Sequence, residues 1–354
     1  MMRTRTKLGA VAMAVGLLSS VLGMAAPPAQ ATFPDHNGRI AFRRFLNEER
    51  TWGAVFTINH TGTHERQVTF PPTGYVDRDP DVSPDGRRIL FQRELVPCTD
   101  VCTNEIFVVD VDGDNLTNLT NNPTEGDCLF TNGCAMTPAW SPDGTSIAFQ
   151  RQSGPFENDL IYESAIYIMN PDGSHLRQIT QQVHPATGED TSPQWSPDGR
   201  SLVFQRNNVR GAEPDGGIAL WTINLETGQE RRITPFDLRA GDTPDWSPDG
   251  QRILFHSNND GPPDVSANLY TIRADGTDLQ QLTFLEGGQV NILGSSYSPN
   301  GKKIVFGRRP ATGGTNADIF TINVDGTHER PVTQTVLYDS YPDWGPKPER
   351  RHDR

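Results

Sequence analysis

An all-β chain folded as six repeated sheets closed into a ring is predicted by three features of the sequence. A Ser-Pro-Asp-Gly phrase begins at Ser83, Ser141, Ser196 and Ser247, and a Ser-Pro-Asn-Gly variant begins at Ser298. Their starts lie 58, 55, 51 and 51 residues apart, a period that marks repeat architectures. Around every phrase, short β-branched and aromatic runs alternate with polar residues, and helical periodicity is absent beyond the first residues. Finally, the two ends of the chain carry complementary halves of one more unit.

Each element follows from local chemistry. The first run of a unit ends in Asp81-Val82, Ala139-Trp140, Gln194-Trp195, Asp245-Trp246 or Ser296-Tyr297. In the turn that follows, proline presets φ and glycine takes a conformation that strains a residue with a Cβ. The second run carries Ile89-Leu90-Phe91, Ile147-Ala148-Phe149, Leu202-Val203-Phe204, Ile253-Leu254-Phe255 or Ile304-Val305-Phe306, which completes a hairpin. A third run, such as Ala165-Ile166-Tyr167-Ile168 or Asp318-Ile319-Phe320-Thr321, leads to a second turn, as at Asp172-Gly173, Asp275-Gly276 and Asp325-Gly326. The fourth ends on Leu119-Thr120, Ile179-Thr180, Ile233-Thr234, Leu282-Thr283 or Val332-Thr333.

The termini decide how the array closes. Tyr341-Pro342-Asp343-Trp344 reads as a first run with no second run after it. Asn37-Gly38-Arg39-Ile40-Ala41-Phe42 is a second run with no first run before it, and Val55-Phe56-Thr57-Ile58 and Gln67-Val68-Thr69 follow it. Pairing the two ends completes the unit and leaves only short sheet edges, without capping repeats. The expected fold is therefore a six-bladed β-propeller closed by pairing of its N- and C-terminal strands.

The phrase Trp-Ser-Pro-Asp-Gly-x-x-Ile-Ala-Phe, its Ile-Tyr-x-Met-x-x-Asp-Gly partner and the closing Leu-Thr resemble the PD40, WD40-like repeats of TolB-type propellers. The resemblance spans roughly residues 36–348 and is specific for fold rather than function. It implies a secreted or periplasmic-type scaffold that docks other molecules. TolB proteins also carry an α/β domain before the propeller, which has no counterpart in this sequence, so the resemblance is to the propeller alone. It does not carry over TolB's own partner.

Residues 1–31 read as a cleaved signal peptide: Arg3, Arg5 and Lys7 precede the apolar stretch Leu8 to Met24, and Ala29-Gln30-Ala31 is a small-residue cleavage site. The expected organisation is signal peptide 1–31, propeller 32–348 and a basic tail 349–354. An extracellular or periplasmic-type space is expected, with no integral membrane segment after cleavage. The whole chain has 31 basic and 44 acidic residues and a net charge of −13. Residues 1–31 hold three basic and no acidic residues, so the remainder carries −16. Such a surface repels phosphate backbones, which excludes nucleic acid as a partner.

Cys98, Cys102, Cys128 and Cys134 are four cysteines in an exported chain, so disulfides are the expectation over a zinc site. Three connectivities are open, with local pairing of Cys98 to Cys102 and Cys128 to Cys134 preferred. All four fall on the face that strand order gives to the long connections, where binding usually concentrates. The opposite face carries the Pro-Asp-Gly and second-hairpin turns.

Five of the six units continue Phe-x-Arg at the end of the second run: Arg44, Arg93, Arg151, Arg206 and Arg308, with Ser257 the exception. As a set they could grip carboxylates or sulfates on a partner. Alternatively they form repeated ion pairs, with Asp79, Asp81, Asp245 and Asp343 as partners. His64-Glu65 and His328-Glu329 occupy equivalent turns and read as a duplicated turn rather than a metal site. Asp110-Val111-Asp112-Gly113-Asp114 lacks the distal Glu of a calcium loop.

No G-x-S-x-G or H-E-x-x-H motif anchors a hydrolase. A carboxylate pair at the channel mouth, drawn from Glu157, Asp159, Glu163, Glu189, Asp190, Glu213 and Asp215, is the alternative for glycoside hydrolysis. The leading expectation is a secreted, monomeric, non-catalytic scaffold that binds a protein, peptide or cell-envelope glycan, with no cofactor, metal or catalytic residue. Buried channel carboxylates of raised pKa would favour the enzyme; an exposed apolar loop patch over a polar channel would favour the scaffold.

Overall fold

A computed structural model of the chain describes residues 37–97, 103–121, 133–153, 163–181, 189–207, 217–241, 243–257, 267–286, 291–309 and 316–348. Residues 1–36, which include the expected signal peptide, residues 349–354, and Cys98, Cys102 and Cys128 lie outside these residues. Twenty-four strands and one 3₁₀ turn, Phe236–Leu238, are found among the described residues. No helix there is long and apolar enough to cross a membrane.

Strands follow one another in antiparallel meanders of four. The closing meander joins β24 (Tyr338–Pro346) to β1 (Asn37–Phe45), β2 (Gly53–Asn59) and β3 (Arg66–Gln67). The second comprises β4 (Tyr75–Val82), β5 (Arg88–Leu95), β6 (Asn104–Asp110) and β7 (Thr117–Asn118). The third holds β8 (Cys134–Trp140), β9 (Ile147–Ser153), β10 (Glu163–Met169) and β11 (Arg177–Gln178). β12 (Glu189–Trp195), β13 (Ser201–Asn207), β14 (Ile218–Asn224) and β15 (Glu230–Arg232) make the fourth. In the fifth are β16 (Asp245–Trp246), β17 (Arg252–His256), β18 (Leu269–Arg273) and β19 (Gln280–Gln281). The sixth has β20 (Ile292–Tyr297), β21 (Lys303–Arg308), β22 (Asp318–Asn323) and β23 (Arg330–Pro331). A parallel bridge between Gly53 and Val76 links the closing and second meanders into one sheet of eight.

β24 and β1 pair as the termini predicted, with Ile40 opposite Trp344 and Ala41 opposite Asp343. Each meander buries its apolar residues against the next. Ile40, Phe42 and Trp344 share a cluster with Val305 and Ile319 of the sixth, while Ala41 and Val55 share one with Ile89 and Phe91 of the second. Comparable clusters join second to third, third to fourth, fourth to fifth and fifth to sixth. At their centres Phe42, Phe91, Phe149, Phe204, Phe255 and Phe306 are fully buried, each stabilising by roughly 1.5–3 kcal/mol relative to exposure.

The repeated phrases are hydrogen-bonding devices. In the Ser-Pro-Asp-Gly turn, Ser83 Oγ donates to Asp85 Oδ1 at 2.6 Å and accepts the Arg88 N–H at 2.9 Å. Ser141, Ser196 and Ser247 repeat both bonds, and Ser298 repeats them with Asn300 as its acceptor. The closing threonine works in all six meanders. Thr69, Thr120, Thr180, Thr234, Thr283 and Thr333 accept the amide of Val55, Ile106, Ile166, Leu220, Leu269 and Ile319 at 2.9–3.1 Å.

Candidate functional site

The first strand of every meander is bent at one place. Asp79, Thr137, Ser192, Thr243 and Tyr341 have φ between 48° and 56°, and Gly294 fills the sixth position. Proline follows in five cases and Ser295 in the other. Register slips there in the strands that pair around it, at Arg78/Asp81, Met136/Ala139, Thr191/Gln194 and Ile292/Ser295. Such bulges re-aim the side chains that follow, and the positive φ of non-glycine residues is strain of the kind that gathers at functional sites.

The residue two positions past the bend lines an axial channel in five meanders, as Asp81, Gln194, Asp245, Ser296 and Asp343, and is the small Ala139 in the third. The three carboxylates among them reach round the ring to the neighbouring meander. Asp343 Oδ2 accepts the Val82 amide at 2.8 Å, Asp81 Oδ2 that of Trp140 at 2.7 Å, and Asp245 Oδ2 that of Tyr297 at 2.6 Å. Ser296 Oγ donates to Asp343 Oδ1 at 2.9 Å, and Gln194 Nε2 reaches past Ala139 to Asp81 Oδ1 at 3.4 Å.

Burial pushes all three carboxyls up. For Asp81 the nearby Asp343 charge adds to it, and Asp81 stands well above the ordinary carboxylate range. Asp245 is pushed up to about 7 by burial, with the Asp343 charge acting the same way against the Tyr297 amide. Asp343 is raised by burial against the amide and hydroxyl donors it accepts.

A cavity of about 90 Å³ opens from this ring toward the Pro-Asp-Gly turns, walled by Pro84, Pro142, Trp140, Trp246 and Trp344 among others. A second, of about 60 Å³, lies on the long-connection side among Pro80, Pro138, Pro193, Pro244 and Pro342. No group of three acidic, histidine or cysteine side chains among the described residues is arranged to hold a metal ion.

The arginines lie elsewhere, flat against the sheets. Arg44, Arg93 and Arg206 make two-pronged bonds to Asp339, Asp77 and Asp190, their cross-strand partners, with Nε–O distances of 2.6 Å. The guanidinium groups lie 4.7–4.8 Å from the rings of Phe56, Phe107 and Trp221. Arg44, Arg206 and Arg308 also reach Glu65, Glu230 and Glu329 on the outer edge. Arg151 sits over Tyr167 with Ala135 across the strand. The ion-pair partners are thus Asp77, Asp190 and Asp339, together with these outer glutamates, rather than Asp81, Asp245 or Asp343. The reason is register: the bulge shifts the latter residues beyond reach and toward the axis.

Of the carboxylates expected at the channel mouth, Glu157, Asp159, Glu213 and Asp215 and the side chain of Glu163 lie outside the described residues. Asp190 is committed to Arg206. Cys134 is buried at the start of β8. His64 and His328 occupy matching exposed turns, at φ 56° and 57°, and bond equivalent neighbours, Asn59 and Thr63 in one and Asn323 and Thr327 in the other.

Strand meanders packed face to face around an axial channel define an all-β propeller. Within that class, the family described as the TolB beta propeller domain matches residues 209–350. An uncharacterized protein of Agrobacterium fabrum, Atu1656, is 27% identical over 64% of this chain and 64% of its own length. Dipeptidyl-peptidase 5 of Porphyromonas gingivalis is 31% identical over 41% of this chain and 20% of its own. The crystal structure of TolB from Acinetobacter baumannii superimposes with a TM-score of 0.63 at 21% identity, over 89% of this chain and 68% of that one. The chain therefore spans less than two thirds of either curated relative, and it carries a TolB-like β-propeller domain.

Proposed function

We propose that the chain is an exported, non-catalytic scaffold, a single six-bladed wheel that binds a protein, peptide or cell-envelope glycan through its long-connection face. One observation carries this reading. Phe70, Phe284 and Val336 are 75%, 76% and 91% exposed and stand on the connections leaving the closing, fifth and sixth meanders. These are three consecutive connections on one face. Large apolar side chains gathered in this way favour docking of a partner.

In this proposal residues 1–31 are removed on export to an extracellular or periplasmic-type space, 32–348 form the wheel and 349–354 a solvated tail. Cys98, Cys102, Cys128 and Cys134 pair into disulfides that brace loops of the binding face. Arg44, Arg93, Arg151, Arg206 and Arg308 support the rim behind it, and the wheel is monomeric. Crosslinking of the exported protein followed by mass spectrometry tests the idea. A Phe70→Ser/Phe284→Ser/Val336→Ser variant should keep its β-sheet circular dichroism and lose the crosslinked partner. Unchanged crosslinking would contradict the reading.

A hydrolytic or carbohydrate-active enzyme is the second reading, favoured by the raised pKa of Asp81, Asp245 and Asp343. It stands second because the cavities beside them, about 90 and 60 Å³, fall well below the ~300–1,000 Å³ of small-molecule sites.

A further inference from the structure

We propose that the axial ring is a binding site for a primary ammonium group on a slim aliphatic stem, the chemistry of a lysine side chain. The proposal goes beyond the scaffold reading and uses a different part of the molecule. Asp81 is buried and Asp245 and Asp343 are half-buried at one level of the channel, and every hydrogen bond described for them comes from a neutral donor. None takes part in an ion pair among the described residues. Buried carboxylates without a cation are costly, because desolvation goes uncompensated.

A second feature of the cavity also calls for a donor-rich ligand. Ser295, 4% exposed, lines the long-connection side, and its buried hydroxyl has no hydrogen-bond partner. Thr137 and Thr243, at two of the bends, line the same cavity with buried, unpartnered hydroxyls. An ammonium group offers three N–H donors pointing in different directions. It can bridge acceptors too far apart to converge on one metal ion. The cavity on the turn side adds walls for a stem: proline rings and the flanks of Trp140, Trp246 and Trp344. Its small volume admits a methylene chain. The chain's charge of −13 draws cations toward it.

Isothermal titration of the full chain with n-butylammonium at pH 8 tests the site, with n-butanol and calcium as controls. Saturable binding of the amine is expected, without binding of the alcohol. An Asp81→Asn/Asp245→Asn variant should weaken it by about tenfold or more, the loss of one to two charge-assisted contacts. Unmodified protein supplies a readout that does not depend on folding of the variant. Protons compete for the same oxygens, so affinity should fall by a similar factor between pH 8 and pH 5. The carboxyl groups around the ligand are Asp81, Asp245 and Asp343, with Asp79 at the long-connection side, and the Tyr297 phenol beside Asp245 is pushed up by burial and keeps its proton at both pH values. Absence of saturable binding, equal binding of n-butanol, an affinity indifferent to pH, or calcium bound in preference to the amine would each overturn the proposal. None of these outcomes bears on the apolar loop face, since no partner protein is used.

Discussion

Asp245 accepts the Tyr297 amide at 2.6 Å with no cation beside it, and its carboxyl is pushed up to about 7 by burial. The folded state therefore holds a proton that the unfolded chain releases near pH 4. This contribution to stability is full below the unfolded pKa and is lost as pH rises through about 7. Asp81 and Asp343 shift in the same direction. An Asp245→Asn variant keeps an oxygen for the Tyr297 amide and removes the buried charge. It should be more stable than the parent at pH 8, by about 2–4 kcal/mol, and nearly equal to it at pH 4. Urea unfolding at the two pH values measures the difference. A variant less stable at pH 8 would mean that the carboxylate is needed in its charged form.

Residue roles were legible in part. The pairing of Arg93 with Asp77, Arg206 with Asp190 and Arg44 with Asp339 is encoded as an Asp five positions before the equivalent residues Val82, Trp195 and Trp344. That spacing is readable without coordinates. The aspartates of Pro80-Asp81, Pro244-Asp245 and Pro342-Asp343 were just as visible as repeated words, but their direction was not. A bulge inserts one residue and turns the next side chain toward the axis. Nothing in composition announces the slip, apart from a proline in a strand interior where pairing disfavours it.

At the scale of the element, what repeats is structural. The serine and aspartate of each turn bond to each other, the closing threonine caps a strand amide, and turn glycines let neighbouring meanders approach. A Cβ at Gly144 would rest 3.4 Å from Pro84 Cγ, and the same proline-to-glycine relation recurs from Pro142 to Gly199 and from Pro248 to Gly301. The second turns press closer. Gly173, at φ +83°, faces the Leu119 carbonyl oxygen of the meander before it, whereas a Cβ added at Gly228, at φ +71°, would meet nothing within 4 Å. Gly228→Ala should therefore cost only the left-handed backbone, about 1 kcal/mol. Gly173→Ala adds displacement of a backbone carbonyl and should cost about 2–4 kcal/mol. Chemical denaturation of the two variants separates these terms, and equal costs would show that the second turns do not lock the meanders together.

For the whole molecule, departures from repetition carry the candidate functions. Ala139, Gln194 and Ser296 break the ring of aspartates, while Phe70, Phe284 and Val336 stand largely exposed on three of the connections. The fold was readable because its determinants are local and repeated; the sites were not, because they arise where several units meet. Both candidate sites presuppose that the last strand completes the first meander. β24 places Trp344 in a core with Ile40, Phe56 and Val305, and Asp343 on the axis. The most direct test is thermal unfolding of a chain ending at Leu337. Without β24 the ring should lose its cooperative transition, since the closing meander and both seams beside it lose their inner strand. A transition within about 2 °C of the full chain would contradict closure by the termini.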